Sequence, residues 1–386
     1  MLTNQLFSFK IKKINYEGKY IENIEYIILI VVSFPSSYKK EELKENKMEV
    51  IEYNENQRRI FIDSIQLYDA YIDAYHKSRA YRGGMHWKKV KGYEYLFKTI
   101  DRFGNGKSLG PRSKETEKTY RHFHSAKGEI KDRLKNISDR LKEQARFCRA
   151  ALIQRVPKPV VRILRVLDEQ KILGQNVSVV GTNIMYAYEA AAGVFLDRSI
   201  LATQDIDLMW DTRPKLSLVI ENKIEPRGLI SLLKKADRSF ERMGRRKYRA
   251  VNKNGYMVDL IKAMPKDIRI DEKQRMGDPG DLEAAKIRNL HWLISSPKFS
   301  QVVIGEDGLP VMMMGPDPRA FALHKIWLSN QNDRDPLKKK RDLGQALAVA
   351  RLLMEYMPQF AFTSADLRMF PAHVRKEVDK IFDRSQ

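Results

Sequence analysis

Cysteine is almost missing from this chain. Cys148 is the only one among 386 residues, so neither a disulfide framework nor a Cys-rich zinc site can form. That scarcity fits a reducing compartment, and a cytoplasmic location is expected. Long hydrophobic runs are lacking as well. The longest, Tyr26 to Phe34, is about half of the roughly eighteen apolar residues of a membrane span and has no signal-peptide cleavage pattern. It reads as a buried strand, and no membrane partner is expected. Histidines are few. His122 and His124 flank Phe123 with no cysteine or carboxylate at ligand spacing, so they read as surface residues, not a metal site. Acidic residues are in deficit: 49 Asp and Glu face 71 Lys and Arg, a formal charge of +22. Such an excess favours phosphate-bearing partners over a merely soluble surface, because the basic residues cluster in the first half.

What is present is a globular composition, 43% hydrophobic, long enough for two or three packed units. Residues 1–47 contain no arginine and are rich in Ile, Lys and Asn, whereas arginine is frequent from Arg58 onward. Two explanations fit this break: an appended β-rich segment, or a true start at Met48. From Gln57 to Arg79 the apolar positions Ile60, Phe61, Ile65, Tyr68, Tyr71, Ile72 and Tyr75 recur at helical spacing, and Gly83-Gly84 stops the run. Trp87 to Ser113 mixes Tyr93, Tyr95, Phe97 and Phe103 with Lys88, Lys89, Lys91, Lys98, Arg102, Lys107 and Arg112. Such a mixture can neutralise phosphates and stack bases, or it can be an irregular loop docked by its aromatics. Gly104-Asn105-Gly106-Lys107-Ser108 is no phosphate loop, because Asp101 stands where the Walker pattern needs a glycine. From Lys114 to Arg149, Ile130, Leu134, Ile137, Leu141, Ala145 and Cys148 alternate four and three apart, predicting a long helix packed along a seam.

Pro157 and Pro159 open a helix whose buried face carries Val160, Val161, Ile163, Leu164, Val166 and Leu167, and Gly174 closes it. Val177 to Val180 is a short apolar strand, and Gly181-Thr182 turns it into a helix, which is the form of a phosphate cradle. Asp205-Ile206-Asp207-Leu208-Met209-Trp210 follows. In an extended chain Asp205 and Asp207 share one face while Ile206 and Leu208 take the other, so two carboxylates converge. Magnesium, with its oxygen preference and octahedral geometry, suits such a pair plus substrate phosphates. Manganese would satisfy the same ligands. Later, Lys253-Asn254-Gly255 between strand-like runs predicts a hairpin that puts Asp259 on a strand, with Val258 and Leu260 facing away from it.

Val180-Gly181-Thr182, then Asp205-Ile206-Asp207, then Val258-Asp259-Leu260 resemble, in order, the three signatures of the polymerase-beta-like nucleotidyltransferase superfamily. Within it, Val179 to Met209 resembles a bacterial nucleotidyltransferase-like group, with the likeness running from about Met85 to Met357. The resemblance implies roles. Gly181 would let the backbone approach a triphosphate, and Thr182, in place of the usual serine, would donate to a phosphate oxygen. Asp205 and Asp207 would bind two metal ions; Asp259 would ligate the second and help activate the attacking hydroxyl. The interval from Thr182 to Asp205 is longer than usual in the superfamily, which predicts an inserted hairpin over 193–203. His324-Lys325, on a helix predicted from Asp317 to Leu328 beyond a second hairpin at Glu306-Asp307-Gly308, resembles the lysine-bearing helix of antitoxin-paired and abortive-infection nucleotidyltransferases. Lys325 would contact the triphosphate, and an antitoxin-type protein would be a partner. Arg334, Lys338 and Asp342 follow as in those families, or as an ordinary charged helix start.

The expected fold class is α+β: a small mixed β-sheet nucleotidyltransferase core flanked by helices at 157–315, a mainly helical basic region at 48–156, a helical C-terminal region at 316–386, and the appended segment 1–47. The expected function is magnesium-dependent transfer of a nucleoside monophosphate, from ATP or another nucleoside triphosphate, to a hydroxyl acceptor. The basic first half favours RNA or DNA as that acceptor. One rival is a non-catalytic nucleic-acid- or partner-binding protein that keeps the fold. A second, a sugar-nucleotide glycosyltransferase, also uses an Asp-x-Asp pair but needs neither Gly181-Thr182 nor a third carboxylate in a late hairpin.

Overall fold

A computed structural model describes residues 50–101, 103–213, 228–265, 274–360 and 367–375. The run Tyr26 to Phe34 and the composition break at 47 lie outside them. After a two-residue strand β1 (Ile51–Glu52), helix α1 (Glu55–Ala80) starts at a capping box in which Asn54 and Gln57 each take the other's backbone amide. Its seam packs on the long helix α2 (Lys114–Ala150), with Ser64 Oγ against Cys148 Sγ at 3.2 Å and Gln144 Nε2 donating to the Ile60 carbonyl. Burial pushes the Cys148 thiol up, so the one cysteine serves as a core atom.

Between the helices, Trp87 to Ser113 departs from the irregular loop considered above. It forms an antiparallel meander of β2 (Met85–Val90), β3 (Tyr93–Thr99) and β4 (Gly106–Pro111). Alternation explains the difference: Met85, Trp87 and Leu96 share the face that packs with Leu109 on Phe123 and Tyr120 of α2. Asp101 ties the β3–β4 turn by accepting from the amides of Phe103 and Asn105. The run Gly104-Asn105-Gly106-Lys107-Ser108 is therefore the connection into β4.

Helix α3 (Lys158–Glu169) begins at Pro157 and buries Val160, Val161, Ile163, Leu164 and Leu167. Strand β5 (Val177–Val180) runs into a 3-10 turn over Gly181–Ile184 that continues as α4 (Met185–Ala192). The stretch 193–203 is not an inserted hairpin. Its strand β6 (Val194–Phe195) pairs with β1, and Asp197 caps the helical turn α5 (Arg198–Leu201). Glu189, buried in α4, holds it there by accepting from Arg155 through both carboxylate oxygens and from the Leu196 amide. Two open partners, β1 and the Glu189 cluster, won over a local turn.

The central sheet is completed by β7 (Asp205–Trp210), β8 (Glu241–Arg242), β9 (Arg249–Val251), β10 (Met257–Ala263) and β11 (Ala285–Ile287), with α6 (Leu229–Ala236) between β7 and β8. Its order is β5-β7-β10-β9-β8, and β11 pairs with the end of β10 beyond β9. β7 and β10 are parallel, β5 and β9 antiparallel to them, so the sheet is mixed. The short helix α7 (His291–Ser295) and the hairpin β12 (Lys298–Ile304) and β13 (Pro310–Pro316) follow. Gly315 lets that hairpin sit close, since a Cβ there would lie 2.4 Å from Ile184 Cδ1. Two helices, α8 (Pro318–Ser329) and α9 (Pro336–Tyr356), close the fold over α4. No helix among the described residues is long and apolar enough to cross a membrane.

Candidate active site

One row of residues crosses four strands. Val180 pairs with Asp207, Asp207 with Asp259, and Asp259 with Arg249. Neighbouring strands stand about 4.8 Å apart, so the two carboxylates spring from adjacent backbones, and Asp205 lies two residues back on the same face as Asp207. On the opposite face Ile206, Leu208, Val258 and Leu260 are fully buried. That apolar anchor fixes the register, because a one-residue slip would exchange the acids and the apolar side chains between the two faces.

Gly181 is required where it stands. Its φ of +67° is one that side chains rarely adopt, and a Cβ would meet Asp207 Oδ2 at 2.2 Å. The close approach is thus between the strand-to-helix turn and a carboxylate. Next to it the Thr182 hydroxyl accepts from Arg341 Nη2 at 3.1 Å and Gln345 Nε2 at 3.0 Å, both from α9. Arg341 also donates to the Ala202 carbonyl, and Asn183 Nδ2 to the backbone oxygen of Asp205 at 2.6 Å. Thr203 donates to Asp205 Oδ1. Turn, aspartate strand and α9 are thereby tied into one unit.

Burial, then the negative charges of Asp205 and Asp259, push the Asp207 carboxyl up to about 6, although Lys325 and Arg249 pull the other way. Asp259 is clamped: Arg249 Nε and Nη2 reach its two oxygens at 2.6 Å each, and the guanidinium is raised in turn. Lys325, within electrostatic reach of Asp207, is itself buried and held by Asp342 Oδ1 at 2.7 Å. Asp342 also accepts from Arg334 Nε at 2.8 Å, so it is a buried counter-ion on α9 and not part of a solvated helix start. Burial, then the Lys325 charge, drives His324 down to about 3, which leaves a neutral ring between Trp292 and Trp327.

The six residues singled out in the sequence, Gly181, Thr182, Asp205, Asp207, Asp259 and Lys325, therefore lie around one end of the β7–β10 pair. Sequence reasoning missed Arg249, Arg341 and Gln345. Arg249 had a signal: the Asn-Gly hairpin fixes the pairing that sets it opposite Asp259. Arg341 and Gln345 reach Thr182 from more than 150 positions away, and nothing local marks them.

A family model described as nucleotidyltransferase matches residues 158–370, more than half of the chain. The chain belongs to this nucleotidyltransferase family. Membership makes the chemistry nucleotidyl transfer and implies a nucleoside triphosphate substrate. The match begins at α3, so β2, β3, β4 and both long N-terminal helices lie outside it. Searches of curated proteins and of solved structures found no match.

Nucleotidyltransferases typically use divalent metal ions. In charge, the site suits one: the Asp207 carboxyl is destabilised as an anion by burial and by two neighbouring acids. In arrangement it is less complete. Among the described residues no group of three or more His, Cys, Asp or Glu side chains is set as a metal cage, and Asp259 has both oxygens on Arg249. Asp205 and Asp207 would hold the ion, and Asp259 would join them only on leaving its arginine.

Proposed function

We propose that this protein transfers a nucleoside monophosphate from a nucleoside triphosphate, ATP among the candidates, to a hydroxyl of an RNA acceptor, with magnesium as the ion and manganese able to replace it. The observation that carries this reading is the in-register pairing of Asp207 with Asp259, two residues from Asp205. A bound divalent ion supplies charge neutralisation and lowers the pKa of an attacking hydroxyl. The rest falls to the chain. Asp205 and Asp207 would hold the ion that neutralises the triphosphate, with Gly181 leaving room beside Asp207. Thr182 and Lys325 meet phosphate oxygens, and Asp342 keeps Lys325 aimed. The acceptor oxygen bonds to the α-phosphorus, the bond from that phosphorus to the α–β bridging oxygen breaks, and pyrophosphate leaves. Asp259, released by Arg249, takes the hydroxyl proton.

Incubation with each nucleoside triphosphate, magnesium and total RNA, labelled in turn at the α- and γ-phosphate, tests this reading. The α-label should enter RNA while the γ-label leaves as pyrophosphate. Incorporation of the γ-label would mean phosphoryl transfer instead. The Arg249 clamp favours a second reading, a nucleic-acid- or partner-binding protein that keeps the fold, and that protein would incorporate neither label. An antitoxin-type partner rests on the Lys325 helix alone, and co-purification with a neighbouring gene product is its test.

A further inference from the structure

The outer face of the β2–β3–β4 meander remains unused by the site. Pairing sets His86 beside Phe97, Lys88 beside Tyr95 and Val90 beside Tyr93, and Phe97 continues to Ser108 on β4. These residues alternate with Met85, Trp87 and Leu96, which pack toward α2, so they stand on the other side. That side is wet. Tyr93 is 71% exposed, His86, Lys88, Val90 and Ser108 are exposed, and Tyr95 and Phe97 are half-buried. A folding role alone does not account for three aromatic rings in every second position of one strand on a solvent face, since exposed large rings cost solubility.

We propose that this face is a docking platform for single-stranded RNA, the acceptor strand of the transfer reaction; the choice of RNA rests on the function proposed above. Tyr93, Tyr95 and Phe97 repeat at twice the rise of a strand, ~6.6 Å. That is about double the ~3.4 Å per nucleotide of a stacked strand, so a chain laid along β3 has its bases parted and each can lie on a ring. Gly106 leaves space for one of those rings: a Cβ there would lie 2.7 Å from Phe97 Cε1. The charge is complementary. Lys88 Nζ stands 5.3 Å from the Phe97 ring on this face, and Lys91 is exposed in the β2–β3 turn at its edge. The nearby acid Glu94 is on the inner side, bound to Arg112 at 2.6 Å. Single strands are favoured over duplex because stacking needs parted bases, and RNA over DNA because the Tyr hydroxyls, His86 and Ser108 can bond a ribose 2′-hydroxyl.

Fluorescence anisotropy on the full chain, without nucleotide or divalent ion, tests this with a labelled twelve-nucleotide single-stranded RNA, its DNA counterpart and an RNA duplex. The single-stranded RNA should bind tightest. Tyr95→Leu with Phe97→Leu, which keeps apolar bulk and should leave the unfolding temperature unchanged, should weaken binding about tenfold or more, and Phe97→Tyr should not. Lys88→Gln should flatten the plot of log affinity against log salt by ~0.7. Equal or tighter binding of the duplex or the DNA, no binding by the wild type, or an unaffected Leu double variant overturns the platform. The same titration on Asp207→Asn protein separates it from the proposed function. Binding there with no transfer by the wild type would sink the reaction and spare the platform, whereas transfer to RNA unaltered by the Leu double variant would do the reverse.

Discussion

Two regions of this molecule hold charge in opposite ways. In the central sheet, Asp207 and Asp259 are crowded on adjacent strands, largely withdrawn from water, and one of them is raised to about 6. In the N-terminal region the lysines of β2 and β4 stand in solvent. Exposed charge costs a fold little, and its surface ion pairs return little. Buried like charge costs stability and persists where function uses it. The contrast is the ground for proposing the reaction centre in the sheet, inside the segment that the family model matches, and the acceptor platform in the basic region outside that match.

The difference can be broken from the buried side first. Arg249→Ala strands Asp259 as an unpaired buried anion beside Asp207, so it should lower unfolding free energy by about 3 kcal/mol in urea titration; a loss below 0.5 kcal/mol would show that water already screens the pair. Gly181→Ala forces a side chain at positive φ against Asp207 Oδ2, with an expected loss of about 2 kcal/mol in the same measurement.

Asp207→Asn should act in the opposite sense. Because the folded carboxyl is raised from 3.8 to about 6, its charge costs the fold in full above pH 6, and the cost shrinks as pH falls through that window toward 3.8. The variant should therefore exceed the wild type by about 1 to 2 kcal/mol at pH 7.5, with the gap closing by pH 4. A gap constant with pH would remove the titration from the explanation. The smallest effect sharpens the contrast. Lys142→Ala breaks only the exposed pair with Asp139 at 2.8 Å and should change stability by no more than about 0.5 kcal/mol.

Where periodicity and turn chemistry act locally, the fold was legible. The helix read from Gln57 is α1, the four-three alternation is α2, and Asn254-Gly255 and Asp307-Gly308 mark the hairpins that carry Asp259 and β13. Both misreadings concern strands whose partners are distant or whose faces are half wet. β6 is too short to announce itself and exists because β1, far back in the sequence, pairs with it. The meander was hidden because its outer face carries aromatic rings instead of a clean polar alternation. At the site, the aspartates were visible from spacing because a strand's period is fixed. The clamp on Asp259 and the contacts of Arg341 and Gln345 with Thr182 depend on how helices and strands pack, which local spacing does not encode.

Nucleotide transfer by Asp205→Asn and Asp207→Asn proteins, compared with the wild type in one assay with α-labelled triphosphates, magnesium and total RNA, tests the central claim most directly. Label in RNA with the wild type, and a loss of at least about a thousandfold in each variant while both remain folded, is the expected result. Comparable labelling by either variant would contradict it.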